Sequence, residues 1–170
     1  MRAKPPSTAA RIRLLVLDVD GVLTDGTLVF GSSGEETKRF HVRDGYAIQR
    51  ARSAGLEIAV ISGRASPAVT RRMTELGVAE VHQGVGDKAE VFRGILSRLR
   101  LEPSAAAVMG DDLPDLPLLR LAGLALAPAD AVAEVKRAVG WVSRFDGGHG
   151  AVREAIEMLL RARKAWPPKR

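Results

Sequence analysis

Aspartates recur directly after apolar runs in this sequence. Asp18 and Asp20 follow the run 12–17, and Asp111 and Asp112 follow the run 104–109. Crowded carboxylates repel one another and destabilise a fold unless a cation neutralises them. The chain has no cysteine, and these segments have no histidine, so the available ligands are oxygens, which favour a hard ion such as Mg²⁺. Because Mg²⁺ keeps coordination positions for water and phosphate, the pattern indicates a phosphate-handling metal site.

Apolar strands that alternate with amphipathic helices must position these carboxylates. Strands are predicted over residues 12–17, 56–61, 79–82, 104–109 and 123–126. Helices are predicted after the N-cap Ser66, over 88–99, over 131–138 behind the cap Asp130, and around 152–160. This alternation predicts an α/β fold, a three-layer Rossmann-like arrangement with a mainly parallel sheet covered on both faces. Ligands bind at the carboxyl ends of such strands, so Asp18, Ser62, Lys88 and Asp111 are expected at one edge.

The length of 170 residues suits one domain. We expect a flexible N-terminal tail over 1–11, a folded domain over 12–163 and a C-terminal tail over 164–170. Residues 26–40 read as two short strands around Gly31-Ser32-Ser33-Gly34, which predicts a β-hairpin projecting from the sheet.

The net charge of +6 does not indicate nucleic-acid binding, because nine of the 26 basic residues lie within 1–13 and 161–170. The rest of the chain carries 17 basic against 20 acidic residues, and the seven aromatic residues offer little surface for base stacking. We therefore expect no nucleic-acid partner. No apolar run is long enough to cross a membrane or to form a signal peptide, and the lack of cysteine fits a reducing compartment.

Four segments together resemble the motifs of the haloacid dehalogenase (HAD) superfamily, in the right order. They are the segment Asp18-Val19-Asp20-Gly21-Val22-Leu23-Thr24-Asp25, then Ser62, then Lys88, and then Gly110-Asp111-Asp112. The resemblance implies that Asp18 is a nucleophile that becomes phosphorylated, and that Asp20 is its general acid and base. It also implies that Ser62 and Lys88 hold the phosphoryl oxygens, and that the cofactor Mg²⁺ is bound by Asp18, the Asp20 backbone carbonyl and Asp111.

Only 43 residues separate Asp18 from Ser62, which leaves no room for the cap domain that most members insert. The chain resembles a capless group, the 3-deoxy-D-manno-octulosonate (KDO) 8-phosphate phosphatases. The matching segments are 18–28, 40–46, 61–64, 110–115 and 147–154. The resemblance implies a cytoplasmic hydrolase of lipopolysaccharide precursor synthesis and a homotetramer that assembles through residues 26–40, in which a neighbouring subunit completes each active site.

The substrate of that group is a sugar acid, so a cation for its carboxylate is expected, and Arg64 is the best candidate. The implied substrate-binding residues are Asp20, His41, Val42, Arg43, Asp44, Gly45, Gly63, Arg64, Arg72, Lys88 and Asp112. The sequence also leaves the roles of two aspartates open. Asp112 and Asp115 either orient Lys88 or metal-bound water, or cap the next helix.

Two alternative functions also remain. The phosphatases of nine-carbon acylneuraminate 9-phosphates are similar, but that branch lacks an arginine matching Arg64. The second alternative is a catalytically silent scaffold with the HAD fold. A silent scaffold predicts the loss of a catalytic carboxylate, whereas Asp18, Asp20 and Asp111 are all present.

Overall fold

A computed structural model describes residues 6–167 of the chain. Six strands form one parallel sheet in the order β5-β4-β1-β6-β7-β8, and β2 and β3 form a separate antiparallel hairpin. The strands are β1 (Leu14–Leu17), β2 (Val29–Phe30), β3 (Glu36–Thr37), β4 (Glu57–Ile61), β5 (Glu80–His82), β6 (Ala106–Met109), β7 (Leu124–Ala127) and β8 (Trp141–Val142). The helices are α1 (Val42–Ser53), α2 (Pro67–Glu75), α3 (Lys88–Leu99), α4 (Leu116–Leu121), α5 (Ala133–Ala138) and α6 (Ala151–Ala162).

Helices cover both faces of the sheet, which explains why its central strands are apolar throughout. All residues of β1 and β6 are buried. On one face the core includes Ile48 of α1 and Ile156 of α6, and on the other it includes Phe92 of α3 and Val135 of α5. The predicted three-layer α/β fold is confirmed, and no part of residues 6–167 forms a cap domain.

The predicted hairpin forms and leaves an apolar surface uncovered. Strand β2 pairs with β3 through Val29 opposite Thr37 and Phe30 opposite Glu36. Leu28, Val29 and Phe30 are each 44–59% exposed. A two-stranded ribbon with exposed apolar side chains is marginally stable alone, so this element gains most from contact with another surface.

Three local details differ from the sequence predictions. Residues 41–45, to which the sequence analysis assigned no helix, are the N-cap and first turn of α1, where the His41 ring accepts a hydrogen bond from Arg43 N. Asp130 does not cap α5. Its carboxylate instead accepts from Gly147 N at 2.9 Å, and α5 begins at Ala133 after Val132. Strand β8 was missed because two residues are too short to show a periodic pattern.

The ordered chain extends past both predicted boundaries of the domain. Ala9–Arg11 form a 3-10 turn with Ala9 fully buried, so the folded part starts before residue 12. Near the other end, the Trp166 ring packs edge-on against Tyr46, 6.5 Å between centroids. The remaining tail residues, 1–5 and 168–170, lie outside the described residues.

Among the described residues, no helix has the length and apolarity that a membrane crossing requires.

Candidate active site

The carboxyl ends of three neighbouring strands and the start of α3 converge on one edge of the sheet. Asp18 follows the last residue of β1, Ser62 follows β4, and Asp111 lies two residues after β6. These strands are adjacent and parallel, so their ends meet, as the sequence predicts. Lys88 is the first residue of α3, and Asp87 caps this helix by accepting from Ala89 N at 2.9 Å and Glu90 N at 3.0 Å.

Lys88 links two carboxylates at the centre of this edge. Its Nζ lies 3.0 Å from Asp18 Oδ1 and donates a hydrogen bond of 2.7 Å to Asp115 Oδ1. One oxygen of each of the carboxylates of Asp18, Asp111 and Asp115 lies within 4.8 Å of the others. The site therefore holds three carboxylates and one ammonium group in a largely buried space.

The burial and crowding of these charged groups shift their pKa values. Burial, followed by the charge of Asp115, raises the pKa of Asp18 to about 6, although Lys88 opposes the change. Burial and the charges of Asp18, Asp115 and Asp112 raise the pKa of Asp111 to about 7. Burial disfavours the charge on Lys88, but Asp18 and Asp115 outweigh it and raise the pKa of the lysine. The negative charge of the ionised carboxylates would thus exceed the positive charge that the chain supplies at this site.

A divalent cation fits this excess of negative charge. Oδ1 of Asp111 is buried and has no hydrogen-bond partner among the described residues, as expected of an oxygen kept for a ligand. Gly21 makes room for that side chain, because a Cβ at this position would lie 2.1 Å from Asp111 Oδ2. Gly21 also has a φ of +83°, a conformation that disfavours other residues. The all-oxygen donor set suits Mg²⁺.

The structure separates the roles that the sequence left open for Asp112 and Asp115. Asp115 is buried, and besides binding Lys88 its other oxygen accepts from Asp111 N at 3.0 Å. Asp112 is exposed and caps the turn that follows by accepting from Leu113 N at 2.7 Å. Asp115 therefore orients Lys88 and the backbone at Asp111, and Asp112 acts locally as a cap.

Asp20 lies in a second, adjacent ionic network that the sequence analysis missed. Lys38 Nζ donates to Asp20 Oδ1 and also lies 3.2 Å from Glu36 Oε1. Arg64 donates to the same Glu36 oxygen at 3.0 Å, and its Nε lies 3.8 Å from Asp20 Oδ2. One sequence signal for this network was available. Glu36 and Lys38 are two residues apart, which places both side chains on one face of an extended strand.

Ser62 is buried at the end of β4. Its Oγ accepts a hydrogen bond from Arg64 N at 3.2 Å, and its carbonyl accepts from Val85 N at 3.1 Å. This tight turn includes Gly63 and directs the Arg64 side chain, which is 47% exposed, towards the network around Asp20.

Among the described residues, 41–45 form no hydrogen bond or ion pair with the carboxylate cluster of their own chain. His41 and Arg43 line a cavity of about 420 Å³ between the start of α1, β8 and α6. The lining of this cavity does not include Asp18, Lys88 or Asp111. Within one chain, the predicted residues His41 and Arg43 therefore line a different cavity and do not contact Asp18 through a hydrogen bond or ion pair.

Most of the other residues that were predicted to bind the substrate here contact neighbouring parts of the fold instead. Asp44 is buried and accepts from Arg153 N at 2.8 Å, whereas Val42 is 78% exposed. The Arg72 guanidinium packs over Gly45, where a Cβ would lie 2.2 Å from one of its nitrogens, and it pairs with Glu75 at 3.2 Å.

The loop at Gly147-Gly148 packs closely against the segment that follows Asp18, a contact that the sequence analysis did not predict. A Cβ on Gly147 would lie 1.8 Å from the Gly21 carbonyl oxygen, and one on Gly148 would lie 2.5 Å from the Thr24 carbonyl carbon. Gly148 N also donates to Val22 O at 2.9 Å. Only glycine permits this close approach of two backbone segments.

A parallel α/β sheet with an aspartate after β1, a lysine at a helix start and aspartates after β6 defines a haloacid dehalogenase-like hydrolase. The model of the family described as "Hydrolase: haloacid dehalogenase-like hydrolase" matches residues 35–123. The 3-deoxy-D-manno-octulosonate 8-phosphate phosphatase KdsC of Escherichia coli K12 is 44% identical over 154 residues, which cover 91% of this chain and 82% of KdsC. The chain belongs to the family of 3-deoxy-D-manno-octulosonate 8-phosphate phosphatases, which are phosphoric monoester hydrolases.

Solved structures of similar proteins agree with this assignment. The phosphatase of that name from Yersinia pestis has a TM-score of 0.91 at 40% identity, over 92% of this chain and 85% of its own. The phosphatase from Moraxella catarrhalis, crystallised with a magnesium ion, a phosphate ion and a KDO molecule, has a TM-score of 0.92 at 38% identity, over 94% and 91% of the two chains.

Proposed function

We propose that this chain is a Mg²⁺-dependent phosphatase that hydrolyses 3-deoxy-D-manno-octulosonate 8-phosphate to the free sugar acid and phosphate. The observation that carries the proposal is the cluster of Asp18, Lys88 and Asp111 at the carboxyl edge of the sheet. The identity of 44% to KdsC supports the choice of this substrate.

In the first step, a carboxylate oxygen of Asp18 attacks the phosphorus atom and forms an aspartyl-phosphate. The bond between phosphorus and the sugar oxygen breaks, and Asp20 gives its proton to that oxygen. Asp20 lies two residues beyond the nucleophile in the same turn, so both carboxylates belong to one short, partly buried segment.

In the second step, a water molecule attacks the phosphorus atom of the aspartyl-phosphate. Asp20, now ionised, takes a proton from the water, the bond to Asp18 breaks and phosphate leaves. Asp20 is then protonated again, so the cycle closes without another reactant.

Cations hold the phosphoryl group during both steps. Lys88 lies against the nucleophile and is positioned by Asp115 to meet a phosphoryl oxygen, and Ser62 at the neighbouring strand end is the proposed hydroxyl partner. Asp18, the Asp20 carbonyl and Asp111 would hold Mg²⁺, which would supply positive charge for the transferring phosphoryl group.

Arg64 is the proposed partner of the substrate carboxylate. Glu36 holds one end of its guanidinium, which leaves the remaining N–H groups of a half-exposed side chain for an acidic ligand. Asp112 and Gly63 flank the site and stay predicted substrate contacts.

The direct test is phosphate release, with Mg²⁺, from 3-deoxy-D-manno-octulosonate 8-phosphate and N-acetylneuraminate 9-phosphate in parallel. We expect a higher kcat/KM for the eight-carbon substrate. A preference for the nine-carbon substrate would keep the mechanism and replace the substrate. No release from either compound would favour a catalytically silent scaffold.

Arg64→Ala tests how the acid is recognised. We expect a far larger loss of kcat/KM on the octulosonate ester than on a phosphate ester without a carboxylate. Arg71→Ala is the matched control, because Arg71 lies on α2, is 85% exposed and pairs only with Glu75 among the described residues. Equal losses on both esters in the Arg64 variant would contradict the assignment.

The proposal includes a homotetramer that assembles through residues 26–40 and acts in the cytoplasm. The exposed residues Leu28, Val29 and Phe30 support the assembly. The separation of Arg43 from its own chain's nucleophile supports a site completed by a neighbour. Light scattering tests the assembly, cell fractionation tests the location, and mixing inactive Asp18→Asn and Arg43→Ala subunits tests the shared site. Activity that does not return on mixing would contradict sharing.

A further inference from the structure

Lys38 lies at the meeting point of the hairpin and the active site. Its side chain is 1% exposed although it carries a charge. A buried ammonium group is strongly destabilising unless carboxylates pair with it, and Lys38 has two such partners, Asp20 and Glu36. The position of Lys38 is therefore fixed by the fold and is not that of a mobile surface lysine.

Asp20 has few other groups to hold its carboxylate. Among the described residues, its side-chain hydrogen bond is the one from Lys38 to Oδ1. The other oxygen, Oδ2, lies 3.8 Å from Arg64 Nε, too far for a hydrogen bond. The direction in which the Asp20 carboxylate points therefore depends mainly on Lys38.

Glu36 connects Lys38 to Arg64, the proposed partner of the substrate carboxylate. It follows the hairpin turn, and the spacing of two residues places it on the same face of the strand as Lys38. Its carboxylate accepts from Arg64 at 3.0 Å and lies 3.2 Å from Lys38 Nζ, so one group restrains both cations. Lys38 is thus restrained from one side by Glu36 while it holds Asp20 on the other.

We propose that Lys38 is a positioning residue for the reaction, because it holds the Asp20 carboxylate in the orientation needed for proton transfer. The inference rests on the proposed function, in which Asp20 protonates the leaving sugar oxygen. Proton transfer requires the donor within hydrogen-bond reach of the departing atom, so loss of the restraint slows the reaction even though Asp20 itself is present.

The test compares two kinds of leaving group in Lys38→Met, Lys38→Arg and wild-type protein. The sugar alkoxide of octulosonate 8-phosphate needs a proton to leave, whereas the leaving groups of p-nitrophenyl phosphate and acetyl phosphate depart without one. The steady-state value of kcat/KM reports the steps up to release of the leaving group, so it isolates the role of Asp20 as an acid. Taking the ratio of kcat/KM values within each variant cancels any loss of folded protein.

For Lys38→Met, we expect kcat/KM on octulosonate 8-phosphate to fall about 10- to 100-fold, a part of the usual contribution of general acid catalysis. The fall on the activated esters should be several-fold smaller, and Lys38→Arg should restore most of the ratio. Arg71→Met is the control, because this arginine lies on α2, outside the hairpin segment 26–40, is 85% exposed and pairs with Glu75 at 3.5 Å. The control should keep the wild-type ratio and the wild-type oligomeric state.

An unchanged ratio in Lys38→Met would overturn the inference, and so would a rise in KM alone, which would make Lys38 a substrate ligand. If the methionine variant gives no soluble protein, Lys38→Gln takes its place with the same criterion. Failure of the proposed function is recognised separately, because wild-type protein would then release no phosphate from octulosonate 8-phosphate.

Discussion

The affinity for Mg²⁺ should depend steeply on pH between 6 and 8. Without the metal, Asp111 has a pKa of about 7 because it is buried beside other carboxylates. Mg²⁺ binds the ionised form, so a proton must leave before the ion can bind. With that pKa, the ionised fraction is about one-eleventh at pH 6 and about ten-elevenths at pH 8, which predicts an affinity about tenfold higher at pH 8.

The same shift determines how stability changes with pH. A carboxyl group with a folded pKa above its ordinary 3.8 stabilises the protein below about pH 4, and this contribution is lost as the pH rises through about 7. Asp18, whose pKa is also raised, acts in the same direction. This cluster should therefore lower the melting temperature of the metal-free protein at pH 8 relative to pH 5. Added Mg²⁺ should raise the melting temperature more at pH 8.

Isothermal titration calorimetry in two buffers of different ionisation enthalpy measures both the affinity and the protons released. We expect close to one proton released per Mg²⁺ at pH 6 and much less at pH 8. Asp111→Asn should weaken Mg²⁺ binding at least about tenfold and abolish most of this proton release. Glu134→Gln, a change in an exposed ion pair, is the control and should alter neither. Equal affinity at pH 6 and pH 8 in the wild-type protein would refute the reasoning.

Three further variants test other parts of the structure. Asp18→Asn should lower phosphate release at least about 10³-fold while circular dichroism stays unchanged, and substantial turnover would remove Asp18 as the nucleophile. Gly21→Ala should weaken Mg²⁺ binding by more than about tenfold in calorimetry, because the new Cβ would collide with Asp111 and the φ of +83° disfavours alanine; wild-type affinity would show that the loop can adjust. Trp166→Ala should reduce the free energy of unfolding in urea by about 1–3 kcal/mol, because it removes the ring that packs on Tyr46 and Arg153; a change below about 0.5 kcal/mol would mean that this contact does not stabilise the fold.

The sheet and most helices could be predicted because their signals are local. Five apolar runs predicted β1, β4, β5, β6 and β7 to within two residues, and Ser66 was correctly predicted as the N-cap position of α2. The two residues of β8 carry no periodic signal of their own, and this strand forms because β7 offers an edge to pair with. Asp130 has the chemistry of a helix cap, but the 147–150 loop takes its carboxylate as a partner.

The sequence by itself determined the chemistry of the site. Asp18 and Ser62 directly follow strands, Asp111 lies two residues after one, and adjacent parallel strands bring their carboxyl ends together whatever the details of packing. Lys88 at a helix start completes the set, since its helix covers the same sheet.

Only the tertiary structure decided which charges contact each other within and around that set. Asp112 and Asp115 are chemically equal in sequence, yet the buried one holds Lys88 and the exposed one caps a turn. Lys38 reaches Asp20 from 18 residues away because the hairpin folds back over the nucleophile segment. A sequence pattern encodes local backbone preference and burial, whereas the pairing of long, flexible charged side chains depends on distances that exist only after the chain has folded.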